Sequence, residues 1–248
     1  MAEPFKKSWF RDTFESLVVT VILALFGTSF VVQAFQIPTG SMENTLLIGD
    51  HLLVSKFAFG GYRGFKMPGL AYRDIRRGDI VVFRFPNDPS EYFVKRVVGL
   101  PGDRIRIATR VVYVNDVPLD EPYVQHLYLN QVRSGDNFPP AFPELLRGMT
   151  REWSAELPTH VADGELVVPP GNFFVMGDNR EQSLDSRFWG FVPEDYMSGR
   201  PFIIYVSFDR TRDDYQDDSI GGRFRRIFGL IADLPSKLRW KRTFHVVR

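Results

Sequence analysis

Residues 17–35 form an unbroken run of nineteen positions without a charge, and no other feature narrows the possible folds as much. Thr20, Gly27, Thr28, Ser29 and Gln33 are its clear interruptions. As one helix the run would be ~28 Å long at ~1.5 Å per residue, close to the hydrocarbon thickness of a bilayer. Lys6, Lys7 and Arg11 precede it, so the positive-inside rule puts residues 1–16 in the cytoplasm and everything after Phe35 outside. Two other readings fit the same run. One is a buried core helix, but such helices usually show a polar face. The other is a cleavable signal peptide, whose apolar stretch of about 7–15 residues would be shorter than this one. Val32 and Ala34 do form a weak small-residue cleavage site. We read the run as a permanent single-pass anchor in the lipid bilayer.

The remainder of the chain is electrically balanced, with 31 Lys and Arg against 30 Asp and Glu. Nucleic acid is not an expected partner, because a phosphate backbone calls for a concentrated basic face. With no cysteine, a thiol nucleophile, a thiolate metal site and disulfide staples are excluded. His51, His126, His160 and His245 are far apart in sequence and form no local metal-binding motif.

Downstream of Phe35 the pattern is one of strands and turns. Residues 80–85, 93–98 and 104–114 are rich in Val, Ile, Phe and Tyr, and Arg104-Ile105-Arg106-Ile107 alternates with period two. Gly78-Asp79, Pro86-Asn87-Asp88-Pro89, Pro101-Gly102-Asp103 and Asn115-Asp116 punctuate them. This spacing, without long helical patterns between the strands, predicts a mainly antiparallel β architecture. Residues 118–170 are proline-rich and weakly periodic, which predicts an inserted variable second region. The expected organisation is a cytoplasmic N-terminus (1–16), an anchor (17–35), a β core in two parts (36–117 and 171–210) around the insertion (118–170), and a basic tail (211–248). In the tail, Ile227, Leu230, Ile231 and Leu234 recur at helical spacing among basic residues. A basic amphipathic helix on lipid and a helix packed on its own domain fit that pattern equally.

Three stretches carry polar groups in chemically suggestive places. Ser41 follows Pro38 and Gly40 in Ile37-Pro38-Thr39-Gly40-Ser41-Met42, where a tight exposed turn would let a hydroxyl approach a carbonyl; an ordinary loop or helix cap has the same signature. Lys95, on a strand, shares a face with apolar Phe93 and Val97, while Arg96 points the other way. Desolvation there would lower the lysine pKa and make a general base. An edge-strand lysine snorkelling to water fits the alternation too. Residues 177–187 pack hydroxyls and opposite charges where a strand ends, a location site residues favour and solvated loops share.

Taken together and in order, these stretches resemble the bacterial type I signal peptidases, a family of Ser–Lys dyad serine proteases. Residues 37–42 with Thr45-Leu46 look like the family's nucleophile box, and Arg77-Gly78-Asp79-Ile80-Val81-Val82-Phe83 like its next conserved strand. Lys95-Arg96-Val97-Val98-Gly99-Leu100-Pro101-Gly102-Asp103 is similar to the general-base box, and Gly177-Asp178-Asn179-Arg180 with Ser183, Asp185, Ser186 and Arg187 to the last box. The resemblance spans residues 15–207 and is thinnest over 118–170.

The resemblance implies a membrane-bound endopeptidase that removes N-terminal signal peptides from secretory preproteins, cutting after small-x-small motifs. Ser41 would be the nucleophile and Lys95 the general base, with Ser183 orienting the lysine amine. The Ser41 N–H and the Thr39 hydroxyl would form the oxyanion hole; many family members have Ser at the latter position, and Thr adds a methyl group and a stiffer χ1. Ile37, Met42, Leu46 and Phe93 would line shallow pockets that exclude bulky side chains. Asp185 with Arg187, and Asp178 with Arg96, would pair structurally. No metal or organic cofactor is required for this chemistry. The implied location is the bacterial cytoplasmic membrane with the catalytic domain on its outer face, in reach of the protein export channel. A penicillin-binding-type acyltransferase needs S-x-x-K, whereas Asn44 stands three residues after Ser41. A tethered β scaffold that binds exported chains without cutting them is the non-catalytic alternative.

Overall fold

The protein is described here from a computed structural model, over residues 9–59, 72–126, 135–141, 147–211 and 237–247. It opens with helix α1 (Trp9–Phe26), none of whose residues is buried. A π-helical turn (Gly27–Val31) follows, and then strand β1 (Val32–Gln36). The single helix expected over 17–35 is therefore corrected at both ends. Hydropathy does not register that residues 32–36 find backbone partners in a sheet: they pair antiparallel with β2 (Asp50–Ser55), from Val32 opposite Ser55 to Gln36 opposite His51. At the other end the helix takes in Arg11, Asp12 and Glu15, with Arg11 and Glu15 paired at 2.8 Å one turn apart. No helix among the described residues is long and apolar enough to cross a membrane. Val32 and Ala34, the weak cleavage site, lie inside β1.

The remaining strands are β3 (Ile80–Phe85), β4 (Asp88–Gly99), β5 (Arg104–Ala108), β6 (Val111–Val114), β7 (Val117–Pro118), β8 (Val161–Ala162), β9 (Glu165–Val167), β10 (Asn172–Met176), β11 (Val192–Pro193), β12 (Met197–Ser207) and β13 (His245–Val246). Two short helices, α2 (Arg151–Glu156) and α3 (Ser186–Trp189), lie between them. The larger sheet runs β1-β2-β12-β3-β4-β10-β11, with β13 added to β12; the smaller runs β7-β6-β5-β9-β8. Every pairing of named strands is antiparallel, as the turn-punctuated sequence predicts.

The smaller sheet draws on residues from both sides of position 118, so β5 and β6 join β8 and β9 of the inserted region. The stretch read as one run, 104–114, is a hairpin that turns at Thr109 and Arg110, both at positive φ (51° and 72°). The helix expected over 227–234, and residues 127–134 and 142–146 of the insertion, lie outside the described residues.

Strand β3 explains how two hydrophobic clusters coexist. Val81 and Phe83 enter a core shared by the two sheets, with Val97, Ile105, Leu166 and Phe174. Ile80 and Val82, on its other face, enter a second cluster with Ile37, Met42, Leu46, Leu52, Ile204 and Val247. A strand covered on both faces reads as the continuous run Ile-Val-Val-Phe rather than an alternation. The second cluster lies directly beneath the Ser41 turn and anchors it.

Candidate active site

Ser41 sits in a single 3₁₀ turn, Gly40–Met42, entered from an extended Thr39. Met42 and Ile37 bury their side chains in the second cluster on either side of it. The loop that follows is closed on itself by Leu46 N–H donating to Met42 O (2.8 Å) and Gly49 N–H donating to Ile37 O (2.9 Å). The Ser41 N–H belongs to the first turn of the 3₁₀ helix, where the turn itself supplies no acceptor.

Lys95 lies in the middle of β4, opposite Val81 of β3. Its side chain is 4% exposed. The Nζ is 2.6 Å from Ser41 Oγ and 5.7 Å from the Phe93 ring centre, on the face that the alternation predicts. Burial pulls the Lys95 pKa down to about 8; Asp185 and Asp178 oppose this by favouring the charged amine, and Arg187 assists it. The lysine does not snorkel to water.

The third wall comes from the segment after β10. Gly177 is the pivot: a Cβ on it would lie 2.3 Å from Ser183 Oγ and 2.5 Å from Ser41 O. Only glycine lets this strand end pass so close to the Ser41 turn. Asn179 then ties the two together, its N–H donating to Ser41 O (3.1 Å) and its Nδ2 to Gly40 O (3.2 Å). Asn179 was not singled out from the sequence beyond its place in the last box; an amide two residues after a strand end carries no local signal.

Ser183 Oγ is buried and makes no hydrogen bond of ordinary geometry, so the expected bond to Lys95 is absent from this conformation. It is near enough to Asp185 to favour that carboxylate's charged form. Thr39 is exposed at the groove, and its hydroxyl makes no capping bond. Asp185 is fully buried and receives Arg187 through two bonds of 2.8 and 2.9 Å and the Gly177 N–H at 3.1 Å. Burial raises the Asp185 pKa, but the charge and hydrogen bonds of Arg187 outweigh it, and the net shift is downward. Asp178 receives Arg96 at 2.8 and 2.7 Å and the Thr45 hydroxyl at 2.5 Å. Both expected pairs are therefore formed. Arg96, on the face opposite Lys95, is buried as well, because Tyr123 covers it with its ring centre 3.8 Å from the guanidinium carbon.

A groove of about 1150 Å³ opens over Ser41 and Lys95. Ile37, Met42 and Phe93 line it together with Phe35, Tyr92 and Leu184. Leu46 does not: it is fully buried in the second cluster, so its expected place in a substrate pocket is corrected to a packing role beneath the turn. Among the described residues no three His, Asp or Glu side chains are grouped to hold a metal ion.

This arrangement has relatives. Residues 10–206 match the family model described as signal peptidase, peptidase S26. Signal peptidase I of Pseudomonas fluorescens is 34% identical over 228 residues, covering 85% of this chain and 76% of that protein. Signal peptidase I of Pseudomonas aeruginosa is 33% identical over 230 residues (83% and 74%), and probable signal peptidase I-2 of Synechocystis is 34% identical over 208 residues (82% and 75%). A solved signal peptidase I from Enterococcus faecalis aligns with 52% of this chain at 30% identity and a TM-score of 0.39. With one family model matching from helix α1 to strand β12, and a third of the residues shared with such relatives over most of its length, the chain belongs to the signal peptidase family, peptidase S26, and is a serine endopeptidase.

Proposed function

We propose that this protein removes N-terminal signal peptides from exported preproteins through a Ser41 acyl-enzyme, with Lys95 as general base. The observation that carries the proposal is the 2.6 Å contact between Ser41 Oγ and an amine withdrawn from water. Neutral Lys95 takes the Ser41 proton as Oγ attacks the scissile carbonyl. The carbonyl oxygen becomes an oxyanion, met by the Ser41 N–H and the Thr39 hydroxyl. Protonated Lys95 then gives its proton to the departing amine, the N-terminus of the mature chain. A water takes that space, loses a proton to Lys95 and attacks the ester, and the proton returns to Ser41 as the signal peptide leaves. Ser183 lines the same groove as Lys95 and keeps a buried hydroxyl without a hydrogen bond, and we assign it the orientation of the amine. The walls formed by Ile37, Met42 and Phe93 favour small residues before the scissile bond.

Helix α1 supplies the lipid contact in this reading. Leu17, Val18, Val19, Val21, Ile22, Leu23 and Leu25 are all exposed large apolar side chains on one element, none of whose residues is buried. Such a surface calls for an apolar solvent. The basic residues before it orient the domain to the outer face of the cytoplasmic membrane, where cleavage sites of exported chains emerge.

The test is cleavage of a purified preprotein in detergent by wild type, Ser41→Ala and Lys95→Ala, with sequencing of the new N-terminus. Cutting after a small-x-small site by wild type alone is expected. Cutting by either folded variant would overturn the assignment of that residue, and no cutting by folded wild type would favour a binding scaffold.

A further inference from the structure

Segment 237–247 returns to the sheet after the catalytic boxes are complete, and nothing in the proposed chemistry uses it. Strand β13 pairs with β12, Val247 N–H donates to Phe202 O at 3.1 Å, and Asp209 N–H donates to Lys237 O at 2.7 Å. Val247 is buried in the cluster that holds Ile37, Met42 and Leu46. From this fixed base two arginines reach the loop after Ser41. Arg239 Nη1 donates to Ile48 O at 2.9 Å. Arg242 Nη2 donates to Thr45 O at 2.9 Å and to Asp50 Oδ2 at 2.6 Å, with Arg242 Nε 3.3 Å from Asp50 Oδ1.

Asp50 is fully buried and also accepts from Ser207 Oγ (2.6 Å) and Leu47 N–H (2.9 Å). Thr45 is held from two sides. Arg242 takes its carbonyl, while its hydroxyl meets Asp178, the carboxylate that pairs with Arg96 beside the general base. The nucleophile loop is thus gripped between segment 237–247 and, through Asp178 and Arg96, the strand of Lys95.

We propose that Arg242 is a positioning residue, and segment 237–247 a strap, that sets the approach of Ser41 to Lys95 by holding the nucleophile loop at Thr45 and Asp50. The proposal rests on the Ser41–Lys95 reading above. Arg242 touches neither substrate groove nor reacting atoms, so its loss acts through geometry: a loop displaced by an ångström takes the hydroxyl out of line, at a cost of roughly 100-fold in rate. Lys95 is faced by Ser41, Asp185, Asp178 and Arg187, none of which the substitution alters.

The experiment compares the full chain with Arg242→Ala, Arg242→Lys and Ser41→Ala in steady-state preprotein cleavage, alongside thermal unfolding of each. The expected result is a fall in kcat of about 10- to 100-fold for Arg242→Ala with KM changed less than about threefold. Arg242→Lys, which keeps the charge but not the two-pronged grip, is expected to fold and to fall between the two. Wild-type kcat in either folded variant would overturn the strap, as would a rise in KM at constant kcat. Should Arg242→Ala fail to fold, Arg242→Lys alone decides by the same criteria. Ser41→Ala separates the two ideas: if it still cuts, the dyad reading fails, whereas a dead Ser41→Ala beside an unimpaired Arg242 variant sinks the strap only.

Discussion

Lys95 meets Ser41 across 54 residues of sequence at 2.6 Å, and it does so with the amine shut away from water. The two facts are linked. An exposed lysine at its ordinary pKa would reach the same hydroxyl as a cation, with no lone pair to accept a proton. Burial, which brings its pKa to about 8, makes the contact chemically useful.

The pH dependence follows. In the proposed mechanism the neutral amine is the active form, so kcat/KM is expected to rise about tenfold per pH unit below about pH 8 and to level off above it. A pH–rate profile from pH 6 to 10 checks this. A flat profile over that range would mean that Lys95 is not the group whose ionisation limits the rate.

Stability should show the same ionisation over a higher pH window. In the unfolded chain Lys95 titrates near its ordinary 10.5, in the native protein near 8. Between those values the unfolded state holds more protons, so stability rises with pH through this window. Below pH 8 the fold carries the whole cost of burying this amine, on the order of 3 kcal/mol. Lys95→Met is expected to raise Tm by several degrees at pH 6 and to lose that advantage by pH 11, measured by thermal unfolding at both values.

Asp185 offers a test of the electrostatics. Asp185→Asn leaves the Arg187 cation buried with a neutral partner, which should cost about 3–5 kcal/mol of stability by chemical denaturation. It also removes a negative charge that favours protonated Lys95. In the folded fraction, the acid limb of the pH–rate profile should therefore move to lower pH.

Gly177 is predicted to be intolerant of the smallest change. In Gly177→Ala the new methyl group would meet Ser183 and the Ser41 carbonyl at distances no relaxed side chain shows, and backbone on one side cannot yield cheaply. Overpacking of this kind costs about 1–3 kcal/mol. Because the strain falls on the nucleophile turn, kcat should drop further in Gly177→Ala than in Ser183→Ala, compared in the same cleavage assay.

Thr109 is a place where the sequence is worse than it needs to be. A β-branched residue at φ 51° is strained, and Asn adopts that conformation readily. Thr109→Asn keeps the N–H that donates to Asn137 Oδ1, so it should stabilise the protein by about 1 kcal/mol in denaturant unfolding, with no change in cleavage.

These particulars show what a linear reading captures. Lys95 was legible because strand alternation fixes its face from two neighbours, and the Asp178–Arg96 and Asp185–Arg187 pairs because opposite charges in matching boxes have few other partners. The hairpin at Thr109 and Arg110 was not, since neither residue belongs to the Gly, Asn and Asp set that announces such turns. The end of α1 was missed for a related reason: apolar β-branched and aromatic residues satisfy a helix and a buried strand alike, and only the distant β2 decides between them. Leu46 has the chemistry of a pocket residue and lies one layer too deep. Arg239 and Arg242 blended into a basic tail, because nothing local indicates that their acceptors are carbonyls about 190 residues earlier.

The pairing of β1 with β2 also bears on how the cut is measured out. Because β1 is clamped along its whole length, no slack tether joins the apolar helix to Ser41. The nine steps from Val32 to Ser41 reach at most about 30 Å at ~3.3 Å each. A helix seated in lipid would therefore fix the height of the hydroxyl above the bilayer as a ruler does, and a substrate whose own apolar segment is too long or too short would present the wrong bond at that height.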